Sequence, residues 1–429
     1  MNRLFPDLRR REFLFASSMA AATASSMNQP LWANSAPIWD LPAPKKSVAA
    51  VVTVYRKNSH ADVLIGKILE GWKQDGGDGP GLRLASLYVD QFPSDDLSRT
   101  LATKHGFPLA STIREAITLG TNSVAVDGVL SIGEHGDYPW NDKEQHLYPR
   151  RRFFEEITTT FSEYGRVVPV FNDKHPGPEW SDAKWMYEKA KELKIPWMAG
   201  SSLPVSFREP DVTVPWGSRV EACLGVGYSG LDVYGFHTLE FLQCILERRA
   251  SAEKGVRWVQ CLPTVEIPRL LKDGTIRDDL FDAALATSRT HRNAVLESSI
   301  PDGAVFLIQY QDGLLAPVLM LAGHASGISA AFKTSGGKVI SARTEERPEP
   351  RYPHFAYLLK GIEQMIHTGL PAYPVERTLL TAGVLDRLLT SRKEDYRRLE
   401  TPELLIPYVP VDYAYAPHID LTKNGNRRQ

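Results

Sequence analysis

The chain is poor in cysteine. Cys223, Cys244 and Cys261 are the only three in 429 residues, an odd number with no C-x-x-C pair. That pattern encodes neither a disulfide framework nor a zinc site, so the thiols read as small, buried, apolar side chains. No apolar run reaches the roughly 20 residues that span a bilayer. Neither sign of charge dominates: 50 Lys and Arg face 51 Asp and Glu, for a net charge of −1, and no long basic run occurs. Nucleic acid is therefore excluded as a partner, and a small molecule is expected. Internal repeats and low-complexity tracts are missing too. With 43% hydrophobic and 24% charged residues, the disordered and fibrous classes are excluded, and a chain of this length has room for two cores.

What is present begins with an address. Arg10-Arg11-Glu12-Phe13-Leu14 precedes a short, mild apolar run rich in Ala and Ser, Phe13 to Ala24, in the pattern of a twin-arginine export signal. Ala22-Thr23-Ala24 offers a small-x-small cleavage site, with Ala33-Asn34-Ser35 as a second choice. Residues 1–40 are read as signal peptide and linker. The mature protein is expected in a bacterial periplasm, with no membrane insertion after signal removal. Twin-arginine substrates are generally exported already folded, which suits a chain without a disulfide framework.

Beyond the linker, strand and helix signals alternate. Val48 to Tyr55 is a β-branched run. Ser59 then caps a helix, with Asp62 returning the bond. Leu82 to Val89 reads as a strand closed by Asp90, and a helix from about Ser94 ends at His105-Gly106. Thr112 and Glu115 frame a capping box. Val124 to Ile132 is a strand, Tyr148 to Tyr164 a helix, and a further helix starts at Ser181. This alternation predicts a mainly parallel sheet with right-handed crossovers. Past residue 205 or so the pattern changes. Ala304 to Gln311 and Leu314 to Leu321 are apolar runs joined by Asp312-Gly313, a two-residue hairpin signal, and Gly336-Gly337 marks another tight turn. A largely antiparallel sheet is expected there, backed by helices at Gly230 to Arg248, Phe355 to Ile366 and Val375 to Leu389.

Between them, Val167 to Gly177 (Val-Val-Pro-Val-Phe-Asn-Asp-Lys-His-Pro-Gly) reads as a buried strand opening into a loop. Lys174 sits at its carboxyl end, the end that faces the ligand crevice in open α/β sheets; it is a candidate for chemistry or simply a surface charge. The order of elements resembles the Gfo/Idh/MocA-like (glucose-fructose oxidoreductase/inositol dehydrogenase) family. Four stretches carry the resemblance: Leu84 to Phe107, Asp127 to Ile132, the Lys174 stretch with its helix through Ile195, and the closing segment from Tyr373 to Tyr408.

The resemblance implies a Rossmann-like domain over 46–204, an α+β domain with a large open, mostly antiparallel sheet over 205–415, and a tail at 416–429. It also implies NAD or NADP as cofactor, a carbohydrate or polyol substrate, and a homo-oligomer formed through the open sheet. Asp173-Lys174-His175-Pro176 matches the family's Glu-Lys-Pro motif with His175 inserted, so Lys174 would touch both nicotinamide and the reacting hydroxyl. An ammonium there stabilises the developing alkoxide. Leu231 to Glu240 keeps the family's Gly-x-His as Gly235-Phe236-His237 but moves Asp232 one residue further off; His237 is the implied acid/base, with Asp232 beside it.

At the first strand–helix turn the family usually has Gly-x-Gly-x-x-Gly. Aligning on His60 puts Val52, Val54 and Lys57 at those places, where Arg56, Lys57 and the Ser59 cap would supply charge and donors instead. The cofactor-binding set is then Ser59, His60, Asp90 (as the ribose carboxylate), Glu134 and Lys174.

A last cluster is Glu134-His135-Gly136-Asp137-Tyr138-Pro139-Trp140, with His146 further on. It reads as a polar sugar-binding rim, or as a divalent-metal site of Glu134, His135 and His146 suited to manganese, zinc or iron. Tyr138, Trp140 and Trp216 would stack on a sugar or simply pack. The expected function is an exported sugar or polyol oxidoreductase with tightly held NAD(P). The alternatives are a metal-assisted carbohydrate lyase or hydrolase, and a member that binds carbohydrate without turnover.

Overall fold

The computed structural model describes residues 45–291 and 300–421. The twin-arginine segment lies outside them, as does the end of the tail. In the first half, β1 (Lys46–Val52), β2 (Leu82–Val89), β3 (Leu109–Ala110), β4 (Gly128–Ile132), β5 (Val170–Asp173) and β6 (Trp197–Gly200) alternate with α1 (His60–Glu70), α2 (Ser98–His105), α3 (Ile113–Thr118), α4 (Arg150–Tyr164) and α5 (Trp180–Glu192). All strand pairs in this sheet are parallel, in the order β3-β2-β1-β4-β5-β6. The order reverses between β1 and β4, and that reversal opens a crevice outside the strands' carboxyl ends.

Side chains on the two faces of the sheet feed separate cores. Val48, Ala50 and Val52 face one; Ala49 and Val51 face the other, with Phe153, Phe154 and Ile157 of α4. Several predicted boundaries move, among them the start of β4, which is Gly128 and not Val124. β1 stops at Val52 because Val54 and Tyr55 turn into the core rather than continue the ladder, and α2 starts at Ser98 because Pro93 to Asp96 close a turn, with Asp96 N donating to Pro93 O at 3.0 Å.

The second half forms an eight-stranded sheet in the order β16-β9-β11-β12-β8-β14-β15-β7. Its strands are β7 (Phe207–Glu209), β8 (Val220–Gly227), β9 (Val256–Leu262), β11 (Ala304–Tyr310), β12 (Leu315–Met320), β14 (Ser329–Thr334), β15 (Val339–Glu345) and β16 (Leu399–Glu400). β10 (Thr290–His291) and β13 (Ala325–Ser326) pair apart from it. Every pair in the large sheet is antiparallel except β12 with β8. The Asp312-Gly313 hairpin is present, with Gly313 at φ 92, a left-handed value that glycine adopts at little cost.

One face of this sheet packs on α6 (Val233–Leu246) and, among its later neighbours, on α10 (Glu376–Lys393). The other face carries α7 (Ile267–Lys272) and α8 (Asp278–Thr287), whose Leu270, Leu280 and Phe281 bury against Leu224, Val305 and Leu319. Part of the surface expected to receive a second subunit is therefore covered by the chain itself. α9 (His354–Thr368) crosses back to the first half, where Phe355, Leu358, Leu359 and Ile362 join the core under β1 and β2. That return brings residues from both halves to the same strand ends. Among the described residues, no helix is long and apolar enough to cross a membrane.

Candidate functional site

β5 ends at Asp173, and the next residue, Lys174, is held at φ 63, in the left-handed region that costs a non-glycine residue about 1 kcal/mol or more. The turn is fixed by the Lys174 N–H, which donates to Gly200 O at 3.0 Å and so borrows the end of β6. His135, beyond β4, is likewise at φ 70. Both side chains line a cavity of about 220 Å³ with His60, Glu134, His237, Glu346 and His354.

Lys174 is only 3% exposed and sits in a network with a definite order. Its ammonium lies 3.0 Å from Glu134 Oε1 and 2.8 Å from His237 Nε2. An ammonium has three N–H donors, so one is left for a ligand in the cavity. Glu134 Oε2 accepts from Arg150 at 2.6 Å. Burial pushes the Glu134 carboxyl up, but the charges of Lys174 and Arg150 outweigh it and hold the group well below the usual carboxylate range.

His237 Nδ1 is 3.1 Å from Ser201 Oγ, and that hydroxyl donates to Glu240 Oε2 at 2.5 Å. A hydroxyl has one proton, so with Glu240 ionised the serine oxygen accepts from His237 Nδ1–H. His237 Nε2 is then the lone pair that receives Lys174. Burial, and next the Lys174 charge, push His237 well below its ordinary value, which agrees with a neutral ring. Glu240 also takes the Ser201 N–H, at 3.1 and 3.2 Å to its two oxygens. A Cβ on Gly200 would lie 2.5 Å from Glu240 Oε1, at a backbone φ of +134, so only glycine fits beside that carboxyl.

Burial raises Glu240 to about 7, against the Ser201 donors and the charges of Arg377 and Lys174. An acid whose folded pKa lies above its unfolded value of 4.5 adds stability that is complete below 4.5 and is lost as pH rises through 7. Glu240→Gln cannot ionise, so it should gain about 2 kcal/mol on the wild type between roughly pH 5 and pH 8, measured by urea denaturation. A difference that does not change with pH would refute the assignment.

The remaining sequence-predicted residues separate. His60 lines the cavity and its Nδ1 donates to Asp173 at 2.6 Å. His135 stands edge-on to His60, with ring centroids 5.3 Å apart, and burial, then the charge of His60, lower it to about 4. Ser59 is spent on capping α1: its hydroxyl accepts from Asp62 N at 3.3 Å, while Asp62 returns its bond to Asn58 N rather than to Ser59. Asp232 does not line the cavity; it precedes α6 and accepts the His146 N–H at 3.0 Å, with burial raising it to about 6. The extra residue before Gly235 turns it away from His237, about 100° around a helix.

Asp90 is taken up by Arg152 at 2.6 Å, Tyr138 at 2.7 Å and Tyr88 at 2.8 Å. His175 is buried beside Arg150, with Nδ1 bonded to Gly177 O at 2.8 Å. His146 stacks on Trp140, centroids 4.2 Å apart, and donates to Tyr138 O, so the metal set of Glu134, His135 and His146 is not brought together. Among the described residues, no three His, Cys, Asp or Glu side chains are placed to hold a metal ion. Trp216, 47% exposed, lies under Arg248 and not at the cavity.

Sequence reading missed Arg150, Ser201, Glu240, Glu346 and His354. Glu240 had a signal, since it stands three residues after His237 and thus on the same helical face. Arg150 was hidden in Arg150-Arg151-Arg152, which looks like a charge run. Glu346, directly after β15, and His354, at the start of α9, reach the cavity only through the tertiary fold and carry no local mark.

The six-stranded parallel sheet followed by the mixed eight-stranded sheet is the two-domain fold of Gfo/Idh/MocA-like proteins. Solved structures that share it include GenD2 from gentamicin A biosynthesis in complex with NAD (12% identity, TM-score 0.54, 83% of this chain and 97% of that one). Scyllo-inositol dehydrogenase from Lactobacillus casei with bound NAD(H) and scyllo-inositol is another (9%, 0.51, 83% and 99%), as is myo-inositol 2-dehydrogenase from Lactobacillus plantarum (10%, 0.50, 83% and 99%). At such identities the likeness is one of fold. No protein-family model and no curated protein matches the chain. The residues at the strand ends do not fit the dinucleotide that this fold suggests, since Asp90 is already engaged by Arg152, Tyr138 and Tyr88 and no glycine opens the first turn.

Proposed function

We propose that the protein is an enzyme acting on a sugar or polyol, with Lys174 and His237 handling the proton of one substrate hydroxyl. The observation that carries this reading is the unbroken path from Lys174 through His237 and Ser201 to Glu240. Lys174 passes a proton to His237 Nε2, His237 Nδ1–H passes one to Ser201, and Ser201 O–H passes one to Glu240. The substrate hydroxyl refills Lys174. The net result is an alkoxide beside an ammonium and a neutral Glu240, a carboxyl whose raised pKa suits it to receive a proton near pH 7.

The solved structures that share the fold, GenD2 with NAD and a scyllo-inositol dehydrogenase with NAD(H) and scyllo-inositol, support oxidation of the alkoxide carbon with NAD(P) as acceptor. The closed strand ends favour a second reading, in which the same groups move protons without redox change, as in an elimination or isomerisation. An NMR screen of inositols, aldoses and linear polyols in D2O, with NAD, NADP or no nucleotide added, tests both. Oxidation gives a carbonyl and reduced nucleotide; redox-neutral chemistry gives deuterium incorporation or dehydration. Binding without any change in the substrate would sink the proposal.

The reading includes export. Replacing Arg10 and Arg11 together by lysine should hold the protein in the cytoplasm of a bacterial host. Undiminished periplasmic yield would remove that part.

A further inference from the structure

In this sheet a dinucleotide would lie across the reversal between β1 and β4, with its pyrophosphate at the N-terminus of α1 and its adenosine ribose at the end of β2. We infer that the chain closes this nucleotide half of the crevice with its own residues, leaving a site for one monosaccharide-sized substrate and no dinucleotide. This goes beyond the proton-transfer reading, does not depend on it, and of its two forms leaves the redox-neutral one.

Three places carry the inference. The first is the gap between β1 and β4. Thr53, fully buried, donates its N–H to Ile132 O at 3.3 Å and its hydroxyl to Glu134 O at 2.7 Å, lacing the two strand ends together where a pyrophosphate would pass.

The second is the N-terminus of α1. A phosphate there needs free backbone donors and an absence of negative charge. Here Asn58 N is bonded to the Asp62 carboxylate at 2.8 Å and Asp62 N to Ser59 Oγ. Asp62 is itself 4% exposed and paired with Arg351 at 2.9 Å, so a buried negative charge stands near the place a phosphate would occupy. Val54 and Tyr55 are buried side chains in the turn where glycine would let a ligand approach the backbone.

The third is the adenosine end. Gln91 Nε2 donates to Asp137 O at 2.8 Å and Asp137 N donates to Gln91 Oε1 at 2.9 Å, a two-bond clasp joining the loop after β2 to the loop after β4 across the end of β1. Beside it, Tyr88, Tyr138 and Arg152 take three of the four or so lone-pair positions of Asp90, the carboxylate that would otherwise receive a ribose diol. What remains is the cavity of about 220 Å³, smaller than the roughly 300–1,000 Å³ of ordinary ligand sites, where imidazoles, two carboxylates and the Lys174 ammonium share the lining with apolar and aromatic side chains.

The test uses the exported protein as purified. It is denatured and the supernatant assayed for nicotinamide nucleotide, and the native protein is titrated calorimetrically with NAD, NADP and AMP. The expected results are no nucleotide in the supernatant and no saturable heat at millimolar ligand. Stoichiometric nicotinamide nucleotide on denaturation, or saturation by any of the three in the micromolar range, would overturn the inference. Either of those outcomes would leave the proton path through Lys174 standing, because the Lys174 variant decides that separately.

Discussion

Lys174→Ala should keep the fold and lose about 10³-fold in kcat on whichever sugar or polyol the screen identifies, the range expected when a positioned proton-transfer group is removed. The loss follows from what the ammonium does at once. It supplies the N–H aimed at the ligand, feeds His237 Nε2, and neutralises Glu134. Without it, His237 and Glu240 remain, but no group joins them to a substrate hydroxyl, and an alkoxide would form beside the Glu134 carboxylate instead of an ammonium. KM should move far less than kcat, since the imidazoles and carboxylates lining the cavity still hold the hydroxyls. The fold should survive because Glu134 keeps Arg150, and because truncation at a left-handed position adds no new strain. Circular dichroism and denaturation establish that the variant is folded, and initial rates then decide. Unchanged turnover in a folded variant would remove Lys174 from the chemistry.

The parallel sheet and the place of Lys174 were legible because they rest on local signals: short apolar runs, caps, and a lysine directly after a strand. The hairpin at Asp312-Gly313 was legible for the same reason. His60 was found through alignment on the family's first strand–helix turn and Glu134 through the polar cluster after the Asp127 strand, and both do face the cavity. Asp232 shows the limit of that method, since a single extra residue in the helix approach sends its carboxylate to the His146 N–H. Arg150, Ser201 and Glu346 lie on three separate segments, and only the tertiary fold brings them near one lysine. The alternative metal reading failed on His146, whose ring stacks on Trp140 and does not turn toward Glu134 and His135 as a ligand. Burial explains much of the rest. A charge run such as Arg150-Arg151-Arg152 reads as solvated, yet the first of the three is 2% exposed and its meaning lies in the carboxylate it meets.

That arginine gives the largest expected effect on stability. Its guanidinium donates to Gly133 O at 2.9 Å and to Glu134 at 2.6 Å, and lies over the Tyr148 ring at 5.1 Å. Arg150→Leu retains much of the packing but strips one of two cations from a buried carboxylate and leaves a carbonyl unpaired. Breaking such a buried pair from one side costs about 3–5 kcal/mol, because the surviving charge has lost its compensation and not because the pair itself is worth that much. The sign with pH follows from Glu134. Its folded pKa lies well below the unfolded 4.5, so its contribution is complete above 4.5 and is lost as pH falls through the folded value. The penalty of Arg150→Leu should therefore be greatest at neutral pH and shrink toward acid, as Glu134 protonates earlier in the variant. Adding Glu134→Gln removes the stranded charge, so the double variant should be less destabilised than the sum of the two single changes, by about 2 kcal/mol. Urea denaturation of the four proteins completes the cycle. Additive losses, or a penalty for Arg150→Leu that is flat from pH 4 to pH 7, would mean that the guanidinium serves packing alone and that Glu134 is held in its charged state by Lys174 without help.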